Sequence, residues 1–454
     1  MKIPGTAKIW ALWDSLRTSY WFVPTLMAVG AVLLWVAAHA LDLRLADIPA
    51  NRLSWIYTGG PEGARELLGV VAGSMITVAG VTFSITIVAL TLASQQFGPF
   101  LLRNFLRDTG NQVALGAFIS TFIFCLLTLR MVRGTESVTY VPHISVTVGI
   151  VMTFVSLGVL IYFIHHVSMS IQVSNILSVV SRDLQAAIDR IFPDRIGRGA
   201  EQSPESVADR MNFPDDCRSS TANITSTSYG YLKAVDDAQL LSTAIRHDLV
   251  VRLLKRPGDF VGQGDGIADV ISGGSVGPEA ERAIREAFLL GSQRTATQDV
   301  GFVMDQIVEV AVRALSPGIN DPFTALICID HLGQGLRRMA TRDIPTRYRL
   351  AEDGALRVIA DPVTFSELAH AAFAQIRDYG RSSPPVLMRL LDTISAIAPH
   401  LSREEDRQAL LHQAVLVREV AVEGLREKAA RFELEESYIA TLSILEQAGA
   451  PALH

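Results

Sequence analysis

Long apolar runs separated by short polar segments make up most of the first 170 residues. About 20 consecutive apolar residues can cross the hydrocarbon core of a bilayer as a helix. Four runs meet this requirement and predict transmembrane helices at about 20–41, 67–94, 113–129 and 143–164. We therefore predict a short N-terminal segment, 1–18, followed by a transmembrane domain, 19–172.

Shorter amphipathic and alternating patterns follow and predict a globular second half. Residues 173–222 read as a helix and a polar linker, and residues 223–276 contain short alternating runs punctuated by glycine, which indicate a small β-rich unit. Residues 277–454 are mainly helical in pattern, with the first helix expected at 278–290. The predicted fold class is an α-helical membrane protein: four transmembrane helices followed by a cytoplasmic α+β domain with a small β-unit and a helical C-terminal part.

The positive charges around the four runs predict an orientation. Lysines and arginines lie before the first run, between the second and third, and after the fourth, whereas the arginines of the other two loops are accompanied by acidic residues. Because cytoplasmic loops carry an excess of Lys and Arg, we expect both termini in the cytoplasm. A cleaved signal peptide is the alternative for the first run, since Ala38-His39-Ala40 mimics a cleavage site, but that run is long and starts late.

Composition narrows the possible functions. The 454 residues are 49% hydrophobic and 19% charged, and the net charge of −6 gives no reason to expect a nucleic-acid partner. The three cysteines, Cys125, Cys217 and Cys328, lie too far apart to form a metal or disulfide pattern. There is no Gly-rich phosphate loop, Gly-x-Ser-x-Gly or HExxH motif. We therefore expect a protein that is not an enzyme and has no cofactor.

Small and hydroxyl residues follow two sides of the second run. The first group, called here the hydroxyl stripe, falls at helical spacings of four, four, three, four and seven: Gly69, Gly73, Thr77, Gly80, Ser84 and Thr91. The second group, the Thr/Ala stripe, lies on roughly the opposite side: Thr82, Thr86, Ala89 and Ala93. Such residues allow close packing of membrane helices. Alternatively, uncharged hydroxyls and glycines can line a water-filled pore.

The pore interpretation assigns specific residues and partners. A single four-span protomer has little room for a channel, so a pore requires a symmetric ring of copies in the bilayer, conducting inorganic ions. The candidate pore-lining residues are Gly73, Thr77, Gly80, Ser84, Thr91 and Gln95. Gly98-Pro99 should break or kink the helix. The candidate residues that couple the pore to the second half are Phe97, Pro99 and Arg103, although a solvated connector explains this segment equally well.

Two further groups of polar residues have a structural and a functional interpretation. His165 and His166 end the fourth run as interfacial polar residues, with pH sensing as a chemical possibility. In the segment SPGINDP, Asp321 is expected to cap a helix that starts at Pro322. The alternative is a divalent-cation site built from oxygen ligands. Its candidate residues are Asp299, Asp305, Glu309, Asn320, Asp321 and Asp330.

Four segments carry a resemblance to a known family over nearly the full chain. They are VTFSITIVALTLASQQFGP (81–99), IHHVSMSIQ (164–172), RHDLVVRLLKRPGDFV (246–261) and QDVGFVMDQIVEVAVRALSPGINDPFTA (298–325). With these motifs the chain resembles the predicted bacterial inner-membrane proteins that carry domain of unknown function 2254. Phe100 replaces the arginine that usually follows SQQFGP. The resemblance implies membrane helices first and a cytoplasmic domain after them, and it implies no activity.

The sequence as a whole predicts a homo-oligomeric ion channel or pore that is lined by the second transmembrane helix and regulated by the cytoplasmic domain. The alternative is a membrane-anchored sensor or scaffold whose cytoplasmic domain binds a ligand or partner without conduction. A transporter is less favoured, because four spans with no internal repeat and no intramembrane charge provide little for coupling.

Overall fold

Four apolar helices form the N-terminal part of the computed structural model, which describes residues 21–44, 56–98, 108–135, 138–170, 172–192, 221–272 and 274–448. They are α1 (Phe22–Arg44), α2 (Pro61–Phe97), α3 (Thr109–Met131) and α4 (His143–Ser170). Each is long and apolar enough to cross a membrane, which confirms the four predicted helices. The chain divides into an N-terminal unit, Met1–Asn175, and a C-terminal unit, Ile176–His454.

Helix α2 is longer than the hydropathy pattern predicted. It spans 37 residues instead of the expected 67–94, or about 55 Å at about 1.5 Å per residue. Pro61 suits its first turn because the missing N–H needs no helical partner there. The charged residues of its first two turns hid this extension, and one of them, Arg65, donates to the carbonyl oxygen of Val132 at 3.2 Å. As predicted, the helix ends before Gly98, which has a φ of 97°.

Helix α3 is the central helix of the bundle and packs against the other three. In its apolar stretch 56% of the residues are buried, compared with 17% to 28% in the other spans. Phe118, Phe124 and Phe163 are completely or almost completely buried and fill the interior. Thr121 and Ser156 join α3 to α4 through a buried hydroxyl–hydroxyl hydrogen bond of 2.8 Å. That bond satisfies two polar groups in an apolar interior.

Two acidic side chains fasten the helices at opposite ends of α4. Asp42 of α1 accepts hydrogen bonds from the backbone N–H groups of Ile144 and Ser145, at 2.8 and 3.0 Å, and from the Ser145 hydroxyl at 2.6 Å. At the other end, Asp108 accepts from His166 of α4. A short antiparallel hairpin connects α3 to α4, formed by β1 (Arg133–Thr135) and β2 (Val138–Tyr140).

The C-terminal unit contains two small sheets. The first has the strand order β3-β7-β5-β10-β9 and the second has the order β6-β4-β8. Only the β5–β10 pairing is parallel among the described strands of this unit. The strands are β3 (Thr221–Thr225), β4 (Gly230–Val235), β5 (Val250–Leu253), β6 (Phe260–Val261), β7 (Gly266–Ile271), β8 (Phe288–Gly291), β9 (Tyr348–Leu350) and β10 (Leu356–Ile359).

Two amphipathic helices, Asp237–Arg246 and Pro278–Ala287, pack against these sheets, and the later helices pack mainly against one another. The core between sheets and helices includes Ile224, Leu232, Val251, Ile284 and Phe288, all buried. The helices are α5 (Val173–Ile191), α6 (Asp237–Arg246), α7 (Pro278–Ala287), α8 (Val300–Ala314), α9 (Pro322–Ala340), α10 (Phe365–Tyr379), α11 (Pro384–Ile397), α12 (Glu404–Gly424) and α13 (Lys428–Ala448).

The sheets use residues that the sequence pattern assigned to helices. We expected one helix over 278–290, but α7 ends at Ala287 and the next four residues form β8. The apolar run FLLG is compatible with a helix or a strand. It forms a strand here because it pairs antiparallel with β4. Strands β9 and β10 also come from beyond the 223–276 segment, and β10 lies in the run ALRVIA (355–360), whose pattern in the sequence is β-like. The N-terminal segment 1–18 and the linker residues 193–220 lie outside the described residues.

Candidate functional site

The hydroxyl stripe of α2 lies on the outer surface of the four-helix bundle. All six of its members are exposed in the part of the chain that the structure describes. A Cβ atom added at Gly69, Gly73 or Gly80 would meet no heavy atom within 4 Å. These glycines are therefore not needed for close helix packing inside one protomer.

The Thr/Ala stripe, on the other side of α2, is buried. Thr82 and Ala93 are 1% and 2% exposed, and Thr86 and Ala89 are also buried. Ala89 belongs to an apolar cluster with Phe118 of α3 and residues of α4. The Thr86 hydroxyl donates to the carbonyl oxygen of Thr82 at 2.8 Å. The structure thus assigns the two stripes to different surroundings: one packs inside the protomer and the other is open.

Each hydroxyl group of the hydroxyl stripe donates a hydrogen bond to a backbone carbonyl of its own helix. Thr77 donates to the carbonyl oxygen of Gly73 at 2.8 Å, and Ser84 donates to that of Gly80 at 2.9 Å. Thr91 does the same one turn back, to Ile87, at 2.9 Å. Because the proton points along the helix, the lone pairs of each oxygen remain available on the outer side. The stripe is consequently a row of hydrogen-bond acceptors.

Large apolar side chains border the stripe. Val70 and Val88 are 64% and 58% exposed on one side of it, and Ile76 and Phe83 are 46% and 47% exposed on the other. A contiguous apolar surface of this kind is suited to lipid or to another apolar helix. The stripe is therefore a narrow polar strip in an otherwise lipid-compatible face.

The remaining candidate residues lie at the C-terminal end of α2. Gln95 is exposed in the last turns of the helix, in line with the stripe. Phe97 is the last helical residue, and Gly98 follows it as the cap, with its N–H donating to the Ser94 carbonyl oxygen at 3.2 Å. Pro99 and Arg103 lie outside the described residues. The coupling role assigned to this segment stays a prediction.

A histidine–aspartate hydrogen bond that joins α4 to the start of α3 was missed by the sequence analysis. The Nε2 atom of His166 lies 2.7 Å from Asp108 Oδ2, and the ring of Tyr162 stacks on the imidazole at 5.3 Å. Asp108 also caps α3 by accepting from the N–H of Gly110 at 2.8 Å. His165, by contrast, is exposed. The sequence separation of 58 residues hid the pair, although an aspartate directly before a helix was a signal for a cap.

The acidic residues near SPGINDP are held by arginines and helix N-termini. Asp321 caps α9 as predicted, accepting from the N–H of Thr324 at 3.2 Å. The ion pairs are Arg294–Asp299, Arg294–Asp305, Arg313–Glu309 and Arg389–Asp330. Desolvation raises the pKa of the Asp305 carboxyl, and the neighbouring Arg294 opposes this rise. Within the described ranges, no group of three His, Cys, Asp or Glu side chains is placed to hold a metal ion.

Comparisons with known proteins agree with the four-helix N-terminal unit. The family described as "Predicted membrane protein (DUF2254)" matches residues 17–396. The uncharacterized protein Rv1290c of Mycobacterium tuberculosis is 31% identical over 456 residues, which cover 97% of this chain and 84% of the relative. The uncharacterized protein Mb1321c of Mycobacterium bovis has the same identity and coverage. No solved structure matches at a significant level. The chain therefore belongs to the DUF2254 family of predicted membrane proteins.

Proposed function

We propose that this protein is a homo-oligomeric ion channel of the bacterial inner membrane, with both termini in the cytoplasm. In this proposal α2 lines an axis between subunits, and the C-terminal unit regulates opening. The observation that carries the proposal is the different placement of the two stripes of α2. The packing needs of α2 inside the protomer are met by the Thr/Ala stripe, which leaves the hydroxyl stripe for another partner, and water between symmetry-related copies fits its chemistry.

A path between subunits also agrees with the filled interior of the protomer. Phe118, Phe124 and Phe163 fill the space among the four helices, so an ion would have no wide route along the protomer's own axis. A ring of copies with α2 turned inward would instead place Gly73, Thr77, Gly80, Ser84 and Thr91 of every subunit around a common axis.

The hydroxyl geometry favours cations as the conducted ions. The hydroxyl groups of Thr77, Ser84 and Thr91 donate hydrogen bonds to carbonyl groups of the same helix. The lone pairs of the hydroxyl oxygens therefore point outward. A ring of such oxygens resembles the oxygen shell of a hydrated cation more than that of an anion. No charged side chain lies between Glu66 and Arg103, so a selectivity based on these oxygens would be weak to moderate.

One observation favours the alternative, a non-conducting membrane-anchored sensor or scaffold. The same intrahelical hydrogen bonds satisfy the hydroxyl donors without water, and a satisfied donor is tolerated next to lipid or a packed helix. In that case the hydroxyl stripe would be a packing surface between copies. The two functions differ in whether water reaches the stripe.

The test of conduction is planar-bilayer recording of the purified full-length protein beside Ser84→Leu and Thr77→Leu. We expect discrete cation-selective currents in the wild type. In either variant the single-channel conductance should fall by about an order of magnitude or be lost, because leucine would narrow the pore and exclude water from it. Ser74→Leu is the matched control. Ser74 is exposed and donates to the carbonyl oxygen of Val70 at 2.7 Å, but it lies about 80° around the helix from Ser84.

Cysteine labelling extends the test to a closed channel. Thr77→Cys is expected to react with a charged, membrane-impermeant thiol reagent much faster than Ser74→Cys, since only the former would face water. Both variants carry Cys217→Ser as well, because Cys217 lies outside the described residues, whereas the other two background cysteines, Cys125 and Cys328, are buried. Equal currents in all four proteins of the recording, together with equally slow labelling of both cysteines, would reject the pore and leave the packing function.

A further inference from the structure

A cavity of about 290 Å³ lies in the C-terminal unit, between the turn that joins β3 to β4 and helix α7. The turn contributes Ser226, Thr227 and Ser228, and the helix contributes Arg282 and Arg285. The volume approaches that of small-molecule sites, which start at roughly 300 Å³. The cavity is therefore large enough for a small organic ligand.

The cavity lining carries a net positive charge, because it contains two arginines and a single carboxylate, Glu286. The Nε–H group of Arg285 donates a hydrogen bond to the carbonyl oxygen of Thr225 at 2.9 Å, and this is the one hydrogen bond of Arg285 within the described residues. Arg282, one turn earlier on the same face of α7, forms no ion pair or hydrogen bond there. By contrast, Arg256 and Arg294 each face a carboxylate in the same unit. Glu286 forms no ion pair with either arginine within the described residues, so both guanidinium groups remain available to an anion at this concave surface.

The serine–threonine turn adds hydroxyl groups to the lining of the cavity. Ser226 is 5% exposed and fixes the turn, donating to the Ser228 carbonyl oxygen at 2.6 Å and accepting from the Ser228 N–H at 3.3 Å. The backbone of Ser226 is anchored in addition by Asp265 and Gly264. The Thr227 and Ser228 hydroxyls have no partner among the described residues. They remain available as donors to a ligand at the cavity mouth.

Apart from Glu286, the rest of the cavity wall is apolar. Ile267 of β7 is 1% exposed, and Phe288 of β8 is 6% exposed; Leu290 completes this wall. An apolar wall with convergent polar groups on one side is the usual composition of a ligand site. It selects a ligand with a charged end and an apolar or planar remainder, and a bare inorganic ion would leave this wall unused.

We propose that this cavity binds a phosphate ester with a small apolar or planar remainder. The phosphate would lie between the guanidinium groups of Arg282 and Arg285 and the hydroxyls of Thr227 and Ser228, with its remainder against Phe288. Two guanidinium groups and two hydroxyls supply more donors than a carboxylate can accept, whereas the oxygens of a phosphate monoester can accept them all. The proposal does not depend on conduction by α2.

The test is calorimetric titration of the full-length protein in detergent with adenosine monophosphate and glycerol phosphate, and with adenosine as the uncharged control. We expect both phosphate esters to bind the wild type with a Kd below about 1 mM, and adenosine not to bind. Arg282→Ala should weaken binding about tenfold or more, because it removes a charge-assisted contact. Arg246→Ala, which removes an exposed arginine from α6, should leave the affinity unchanged.

Two results would overturn the proposal. One is the absence of heat for both phosphate esters on the wild type, and the other is equal affinity of Arg282→Ala and Arg246→Ala. A second arm distinguishes the source of the phosphate. The affinity for glycerol phosphate is measured in nanodiscs of anionic and of zwitterionic lipid. Weaker binding in the anionic lipid identifies a lipid headgroup as the competing occupant. Equal affinity in the two lipids identifies a soluble ester.

Discussion

Replacing Gly258 with alanine is expected to destabilise the C-terminal unit by about 3–5 kcal/mol. Gly258 has a φ of 103°, which an L-amino acid with a side chain rarely adopts. An added Cβ would also lie only 2.9 Å from Asp299 Cγ, and closer still to Asp299 Oδ2. The new methyl group therefore meets both a backbone penalty and a steric one.

The Asp299 carboxylate cannot move aside without losing several contacts. It is 6% exposed, accepts from the N–H of Phe302 at 2.9 Å at the start of α8, and is bound by Arg294 at 2.8 and 3.1 Å. Displacing it would uncap α8 and leave the half-buried Arg294 guanidinium with Asp305 as its remaining carboxylate partner. The steric contact at Gly258 therefore also disturbs the hydrogen bonds that Asp299 makes.

Hydrogen exchange of the full-length protein measures this effect. Tryptophan fluorescence would not, because all five tryptophans lie before residue 60 and report on the N-terminal unit. Amides of α8 should exchange about two orders of magnitude or more faster in Gly258→Ala than in the wild type. Gly264→Ala is the matched control: its φ is 88°, but nothing lies within 4 Å of an added Cβ. It should cost only about 1 kcal/mol, and equal effects of the two substitutions would contradict the steric argument.

Replacing Asp42 with alanine is expected to be the most damaging single change at the polar ends of the four-helix bundle, at about 2–4 kcal/mol. Asp42 is 7% exposed and caps the N-terminus of α4 through three hydrogen bonds from Ile144 and Ser145. Without it, the two buried donors of Ser145 and the part-buried N–H of Ile144 lose their partner. The negative charge also interacts favourably with the helix N-terminus, so Asp42→Asn should have a smaller effect of the same sign.

Thermal unfolding in detergent, followed by tryptophan fluorescence, measures the effect of Asp42. The midpoint should fall in the order wild type, Asp42→Asn, Asp42→Ala. Glu62→Ala is the control, since Glu62 is an exposed acidic residue in the first turn of α2 and contributes at most about 1 kcal/mol. A midpoint for Asp42→Ala within the range of Glu62→Ala would show that α4 does not depend on this cap.

Both expected effects come from long-range contacts that fix the end of a helix. Asp42 caps a helix that begins about 100 residues later, and Gly258 packs against the residue that caps α8. In each case the acceptor is buried, so the free energy of the contact includes the desolvation of the groups it satisfies. The ends of helices are thus where point substitutions in this protein are expected to be most harmful.

Local features were predictable from the sequence where a single helix decides them. The Gly98 helix end and the Asp321 cap depend on the conformational freedom of glycine and on a carboxylate close to its own N–H partner. Strand β8 was not predictable in this way. Its residues FLLG have no period that excludes a helix, and the register with β4 across more than 50 residues determines their state.

The sequence by itself determined that four apolar helices come first, that a unit of helices and small sheets follows, and that α2 carries two opposed stripes. These properties follow from composition and from the helical repeat, which act over a few turns. Only the tertiary structure decided that the Thr/Ala stripe is buried and the hydroxyl stripe open, that His166 pairs with Asp108, and that Arg282 and Arg285 meet a serine–threonine turn. Those outcomes depend on which distant elements come together, and the free energy of packing, summed over many contacts, selects them.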